Sequence, residues 1–175
     1  MRPLCSVLML SALVGCAATA PDYKSPTSGP VARIRFATEN PGVSVVYQYA
    51  DDQCENDEIE VARLRAGPLF KSNSKHLGIP LNTFHPNASH EIVVQANQQF
   101  IGMFQGDQGP SVCKAPFSFR PGVGDYEVFS TVEHRRCYVT ISVIAHDSSG
   151  RPVRTTIPSN LVDVDGCTRF RIRMR

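Results

Sequence analysis

The arginines of the first and last predicted strands are the residues whose type and spacing most clearly suggest binding chemistry. In both places arginines alternate with apolar residues. On a strand, this alternation places the guanidinium groups on one face and the apolar side chains on the other. A row of guanidinium groups can bind phosphates or carboxylates through paired hydrogen bonds. The candidate binding residues are Arg33, Arg35, Arg169, Arg171 and Arg173, and Arg175 continues the row.

Two interpretations of this row are open. If the first and last strands are neighbours, their arginines form an exposed basic stripe on an otherwise balanced protein. Such a stripe would suit lipid head groups, lipopolysaccharide, peptidoglycan carboxylates or an acidic partner. Alternatively, acidic residues of adjacent strands pair with the arginines and the row is structural. The acidic residues considered for that pairing are Glu91, Glu127 and Glu133.

The histidines His85 and His90 belong to the densest polar segment of the chain. A metal needs three or four convergent ligands, and no acidic residue at a helical or strand spacing completes the set. We therefore predict an ordinary surface loop, with no metal and no cofactor. The chain has no G-x-S-x-G, phosphate loop, H-E-x-x-H or C-x-x-C motif. We expect a non-enzymatic protein, and a hydrolase using the two histidines is the weakest alternative.

The beginning of the chain has the pattern of an export signal. Arg2 precedes an apolar run over residues 7–14, which is shorter than the roughly 20 residues that cross a bilayer. The sequence Leu-Val-Gly that ends at Gly15 is followed by Cys16, and it resembles the lipobox of bacterial lipoproteins. The resemblance implies cleavage before Cys16 and its acylation, including palmitate. A plain signal peptide cut near residues 18–20 is the alternative.

The lipobox resemblance also predicts the cellular location of the protein. Ala17 stands where an aspartate would retain such lipoproteins in the inner membrane, so we expect an outer-membrane location facing the periplasm. Several acyl chains would hold the protein stably in the membrane. We divide the chain into a signal peptide (1–15), a lipidated tether (16–30) and a β domain (31–175). With 18 basic and 16 acidic residues, the charge balance gives no reason to expect nucleic acid as a partner.

Four cysteines remain once Cys5 is removed with the signal and Cys16 is lipidated. An even number of cysteines in an exported protein predicts two disulfides. We favour pairing in chain order, the first with the second and the third with the fourth, because both bonds would then join strands predicted to be neighbours. Zinc is the alternative, although no C-x-x-C spacing supports it. The four cysteines are Cys54, Cys113, Cys137 and Cys167.

Short apolar segments separated by Gly, Pro and Asn turns predict an all-β fold. About eight to ten strands at this spacing are typical of a β-sandwich of the immunoglobulin or transthyretin class. Residues 58–64 favour a strand over a helix, and residues 138–145 are the most apolar and are predicted to form the centre of the core. Residues 66–89 are irregular, and such long connections are usually functional or mobile. Tyr126, which follows a glycine-rich corner, is predicted to hydrogen-bond back across it.

Several short motifs resemble those of a family of uncharacterised proteobacterial cell-envelope lipoproteins. The resemblance covers most of the mature chain and implies a β-sandwich and a membrane-anchored location. It brings no activity and no active-site residues. The matching positions are 33–36, 77–80, 91–96, 113, 118–121, 124–128 and 137.

These observations together predict a non-enzymatic outer-membrane lipoprotein with a binding or structural role in the cell envelope. Its partner would be an envelope protein, a lipid or a glycan, bound through the irregular segment 66–89 and the arginine face. One alternative is an accessory lipoprotein of a secretion system, because residues 45–48 resemble a strand of the transthyretin-like lipoproteins of type VI secretion. Another alternative is an inhibitor of a hydrolase.

Overall fold

The computed structural model describes residues 23–40, 42–50, 58–66, 74–84, 86–107, 112–134 and 136–158. In these ranges the chain forms two β-sheets that share one core, so the predicted all-β sandwich is confirmed. One 3-10 turn, Pro86–Ala88, is the helical element of the described ranges. The strands are β1 (Val31–Thr38), β2 (Gly42–Tyr49), β3 (Ile59–Ala66), β4 (Ser89–Gln95), β5 (Phe100–Asp107), β6 (Val112–Phe119), β7 (Gly124–Glu133), β8 (Arg136–His146) and β9 (Pro152–Ile157).

The sheet order places β1 between β4 and β7, the two strands that carry its acidic partners. The five-stranded sheet has the order β4-β1-β7-β8-β9, and the four-stranded sheet has the order β3-β2-β5-β6. β1 runs parallel to β7, whereas all other neighbouring strands in these sheets are antiparallel. Each side chain of β1 therefore has a direct neighbour on β4 and another on β7.

The core between the sheets is built around phenylalanine rings. The ring of Phe36 on β1 lies 5.9 Å from Phe100, 6.1 Å from Phe104 and 6.4 Å from Phe117 of the opposite sheet, measured between ring centroids. All four side chains are almost completely buried, and each contributes roughly 1.5–3 kcal/mol to folding. Gly102 is required beside them, because a Cβ atom there would lie 2.6 Å from Cζ of Phe117.

The prediction that residues 138–145 form the centre of the core is wrong. These residues belong to β8, which lies next to the edge strand β9. Ile141 is buried, but Tyr138 is 47% exposed, and most of β9 is exposed as well. The apolar composition of β8 reflects its preference for a strand and not a central position in the sandwich.

A disulfide joins the two sheets. Cys113 on β6 is bonded to Cys137 on β8, with a Cα–Cα distance of 5.6 Å. The predicted pairing in chain order is therefore wrong. It assumed pairing within neighbouring strands, whereas β6 is an edge strand that packs against β8 of the opposite sheet. Cys54 and Cys167 lie outside the described residues.

The predicted tyrosine corner is confirmed. The backbone N–H of Gly122 donates a hydrogen bond of 2.8 Å to the hydroxyl oxygen of Tyr126. Tyr126 is itself buried in the core. The bond therefore fixes the turn that leads into β7, and it helps set the register between β7 and β1.

Residues 23–30, which belong to the predicted tether, lie against the domain. The hydroxyl of Tyr23 donates a hydrogen bond of 2.7 Å to the carbonyl oxygen of Val93 on β4. Burial raises the pKa of Tyr23 to about 12. The described part of the predicted tether is thus attached to β4 through Tyr23 and Pro30.

Candidate functional site

A buried charge network lies on the outer face of the five-stranded sheet. Arg35 of β1 stands directly opposite Glu91 of β4 and Glu127 of β7. Its Nε donates to Oε1 of Glu91 at 3.0 Å, and its Nη1 donates to Oε2 of Glu127 at 3.1 Å. The three residues are 0%, 1% and 2% exposed, respectively. Charges buried this deeply are costly unless they are paired and hydrogen-bonded, so the three side chains depend on one another.

An irregular segment covers this network; we call residues 74–84 the strap. Arg35 donates a hydrogen bond to the carbonyl oxygen of Ile79. The backbone N–H groups of Leu77 and Ile79 donate to Oε2 of Glu91. Backbone groups that are covered by protein need partners, and an irregular segment has no strand ladder to supply them. Here the buried side chains take the place of that ladder.

Two further arginines extend the network on either side of Arg35. Arg33 forms a bidentate pair with Asp125, with distances of 2.7 and 2.6 Å, and it donates to the carbonyl oxygen of Leu77 at 3.0 Å. Arg154 of β9 contacts Glu127, with 2.8 Å between Nε and Oε1. The strap is therefore bonded to side chains of β1, β4 and β9.

The strap backbone adopts a conformation that these contacts must maintain. Gly78 and Leu81 have φ angles of 82° and 59°, and the left-handed region costs a non-glycine residue on the order of 1–3 kcal/mol. The carbonyl oxygen of Leu81 accepts from Nη2 of Arg154 at 3.3 Å. The carbonyl oxygen of Pro80 accepts from Nη1 of Arg35 at 3.0 Å. The arginines thus hold the strap at the position where its backbone is least favourable.

The network around Glu91 and Glu127 balances its own charge, with Arg35 buried and the side chain of Arg154 36% exposed. Arg35 and Arg154 carry the two positive charges. Glu91 and Glu127 carry the two negative charges, and each carboxylate contacts at least one arginine. Removal of Arg35 would leave the buried Glu91 without its arginine, which is much more costly than never having buried the pair.

Besides the arginine contacts to Pro80 and Leu81, neutral contacts hold the C-terminal half of the strap. The ring of Phe84 stacks on Phe129 of β7, with centroids 5.3 Å apart. Nδ2 of Asn82 donates a hydrogen bond of 3.4 Å to Oγ of Ser89. These contacts do not titrate, so this half of the strap keeps its anchors when the ionised groups change.

The N-terminal half of the strap meets the edge of β4. The backbone N–H of Lys75 donates to Nδ1 of His90 at 3.2 Å, and the N–H of Glu91 donates to the carbonyl oxygen of Lys75 at 2.8 Å. Burial lowers the pKa of His90, and the positive charges of His76 and Lys75 lower it further, whereas Glu91 raises it. A neutral imidazole at pH 7 is consistent with its role as an acceptor.

The predicted exposed arginine stripe is wrong for Arg35, whereas the side chain of Arg33 is 38% exposed and paired with Asp125. Arg35 is completely buried, and both arginines are bonded to carboxylates and to the strap. The alternative, pairing across strands, is confirmed for Glu91 and Glu127. The stripe fails because the strap covers the face on which these arginines lie.

The other predicted site residues lie outside the described ranges. Their roles in binding, lipidation and disulfide formation stay predictions, whereas the predicted histidine loop is wrong at His90, which lies on β4. The residues outside the described ranges are Cys16, Cys54, His85, Cys167, Arg169, Arg171, Arg173 and Arg175.

Sequence reasoning missed Asp125, Arg154 and the role of the strap backbone. Arg33 and Asp125 are 92 residues apart in the chain, so no local pattern joins them. One signal was present in the sequence. Asp125 and Glu127 have the same spacing as Arg33 and Arg35, as expected for two neighbouring strands of opposite charge.

Comparisons with protein-family models, curated proteins and solved structures gave no match. Among the described residues, no three His, Cys, Asp or Glu side chains are grouped to hold a metal ion. Within the same ranges, no helix has the length and apolar character needed to cross a membrane.

Proposed function

We propose that the protein is a non-enzymatic lipoprotein of the bacterial outer membrane, anchored through Cys16 and facing the periplasm, with the strap as its binding surface. The observation that carries this proposal is the strap itself. The buried charge network of Arg35, Glu91 and Glu127 holds the inner side of this irregular segment, while other side chains of the same segment face solvent. Its partner is an envelope protein, lipid or glycan.

Two features support the proposal that the protein is exported and anchored to the membrane. The signal-like segment over residues 1–15 ends directly before Cys16. The two sheets are joined by the Cys113–Cys137 disulfide, and structural disulfides persist in oxidising compartments such as the periplasm. A reducing cytosol would keep both thiols free, so this bond favours export.

The outer side of the strap has side chains suited to recognition. Lys75, His76, Asn82 and Thr83 are exposed and offer positive charge and hydrogen-bonding groups. Binding residues commonly lie on loops that a rigid scaffold positions. A segment already held in one conformation loses less entropy when it binds a partner. The strap therefore suits a polar or anionic surface.

The anchor is tested by replacing Cys16 with alanine in the native host. We expect the variant to leave the membrane fraction, and we expect the N-terminal peptide of the wild type to carry acyl mass on Cys16. Cys5→Ala is the matched control, because a cysteine removed with the signal should not affect anchoring. A C16A variant that stays in the membrane fraction, with an unacylated mature N-terminus in the wild type, would refute the anchor.

The binding surface is tested by in-cell photo-cross-linking with the probe at Thr83. The control probe replaces Ser149, which lies in the exposed turn between β8 and β9. We expect a discrete adduct from position 83 and none from position 149. Lys75→Glu should lower the yield at position 83 because it reverses a charge on the same surface. An adduct confined to position 149 would exclude the strap as the binding surface.

Inhibition of a hydrolase is a second candidate, and the fixed conformation of the strap favours it. Inhibitory loops gain affinity when they are ordered before binding. A panel of muramidases and proteases would be assayed with the wild type and with Lys75→Glu. Inhibition that is lost in the variant would support this role, whereas activity unchanged across the whole panel would exclude it for those enzymes.

A further inference from the structure

A histidine joins the N-terminal part of the strap to the edge of β4. The backbone N–H of Lys75 donates to Nδ1 of His90 at 3.2 Å, and the N–H of Glu91 donates to the carbonyl oxygen of Lys75 at 2.8 Å. Nδ1 can accept a hydrogen bond only when it carries no proton. The contact therefore requires a neutral imidazole with its proton on Nε2.

The charged groups around His90 mostly oppose its protonation. Lys75 and His76 of the strap place positive charge near the ring, and only Glu91 of its own strand attracts a proton. Glu91 is already bonded to Arg35. The cross-strand neighbour on β1 is the uncharged Phe36. The strand β3, which also contacts β4, carries Glu60, Arg63 and Arg65, of which the first two pair with each other.

We propose that His90 is a proton-sensitive latch that releases residues 74–76 of the strap from the edge of β4 in acidic surroundings. An imidazolium has an N–H on both nitrogens, so no rotation of the ring restores an acceptor. The N–H of Lys75 would then face a second donor, with an added positive charge beside Lys75 and His76. The contact between Phe84 and Phe129 does not titrate, so the C-terminal half of the strap stays bound.

The direction of the pH effect follows from linkage. The pKa of His90 is lowered in the closed state, whereas release returns it toward the ordinary value of about 6.5. Closure is therefore complete above about pH 6.5, weakens as the pH falls below it, and levels off once the closed state is protonated as well. The latch would respond to mild acidification.

Hydrogen exchange of the mature protein in detergent micelles tests the latch. The protection of the Lys75 amide, taken from peptides covering residues 74–76, is divided by that of a peptide covering β6, at pH 7.5 and at pH 5.5. The ratio removes the intrinsic pH dependence of exchange. We expect it to fall about tenfold at the lower pH, the effect of losing one hydrogen bond and adding a like charge.

His90→Gln is the matched control, because its amide oxygen accepts a hydrogen bond and does not titrate. In this variant the ratio should stay constant between the two pH values. His76→Gln removes one repelling neighbour and should move the transition to higher pH. An unchanged ratio in the wild type, or an equal fall in H90Q, would refute the latch.

A second measurement covers the case in which H90Q does not fold. In the wild type, NMR should show an unprotonated Nδ1 on His90 at neutral pH and a common titration midpoint for the ring and the Lys75 amide. A protonated Nδ1 at neutral pH would overturn the proposal. Both experiments use the protein without a partner. A failure of the latch is therefore distinct from a failure of the strap as a binding surface.

Discussion

Replacing Arg35 with methionine tests whether the buried network holds the strap. The change leaves Glu91 without an arginine and leaves two buried carboxylates with only Arg154 to balance them. It also removes the guanidinium group that donates to the carbonyl oxygens of Ile79 and Pro80 in the strap. Breaking a buried pair by removing one partner costs about 3–5 kcal/mol, a large share of a domain stability of roughly 5–15 kcal/mol.

The assay is urea unfolding followed by circular dichroism, with two matched variants. Arg63→Met removes an arginine from the surface pair Arg63–Glu60, whose side chains are 50% and 22% exposed, and should cost less than about 1 kcal/mol. The double variant Arg35→Met with Glu91→Gln restores charge balance, and the amide oxygen can still accept from Leu77. We expect this double variant to be more stable than Arg35→Met alone.

Two results would refute this reasoning. Equal losses for Arg35→Met and Arg63→Met would mean that burial adds nothing to the importance of the ion pair. A double variant that is less stable than Arg35→Met alone would mean that uncompensated charge at Glu91 is not the source of the loss. Hydrogen exchange of residues 74–84 should show the strap opening in Arg35→Met before the sheets unfold.

Three further predictions concern the cysteines and the N-terminal segment. Replacing Cys113 and Cys137 with alanine should lower the free energy of unfolding by roughly 3–4 kcal/mol, given a loop of 24 residues; a loss below about 1 kcal/mol would contradict this. With that bond formed, two disulfides require that Cys54 pairs with Cys167, so non-reducing peptide mapping should find one linked peptide, and free thiols there would refute it. Tyr23→Phe should lower the free energy of unfolding by about 1 kcal/mol. Because the pKa of Tyr23 is raised to about 12, the contribution of its hydroxyl to stability is complete below about pH 10 and is lost as the pH rises toward 12. In the same unfolding assay, the variant should therefore lose less stability than the wild type at alkaline pH.

Local patterns were enough to predict the fold class. The alternation of Arg33 and Arg35 with apolar residues predicted β1, and the turn residues between the apolar segments predicted the sandwich that the structure has. The corner formed by Tyr126 was also predicted, because the tyrosine and Gly122 are close in the chain. These features depend on neighbours within a few residues, and short-range sequence patterns report such contacts well.

The candidate site could be predicted only in part. The sequence identified the arginines, named Glu91 and Glu127 as alternative partners, and marked residues 66–89 as irregular. It did not indicate that the strap lies over Arg35, because nothing local to either segment specifies that contact. A guanidinium group looks the same in sequence whether it faces solvent or a buried carboxylate.

The sequence by itself determined which residues form strands and which faces of those strands carry charge. Only the tertiary structure decided that β1 lies between β4 and β7, which converts a basic row into a neutral network. It also decided that Cys113 bonds to Cys137, because β6 packs on β8 of the other sheet. The physical reason is the same in both cases. Pairing between distant strands is set by how the whole core closes, and a side chain's role follows from what that closure places opposite it.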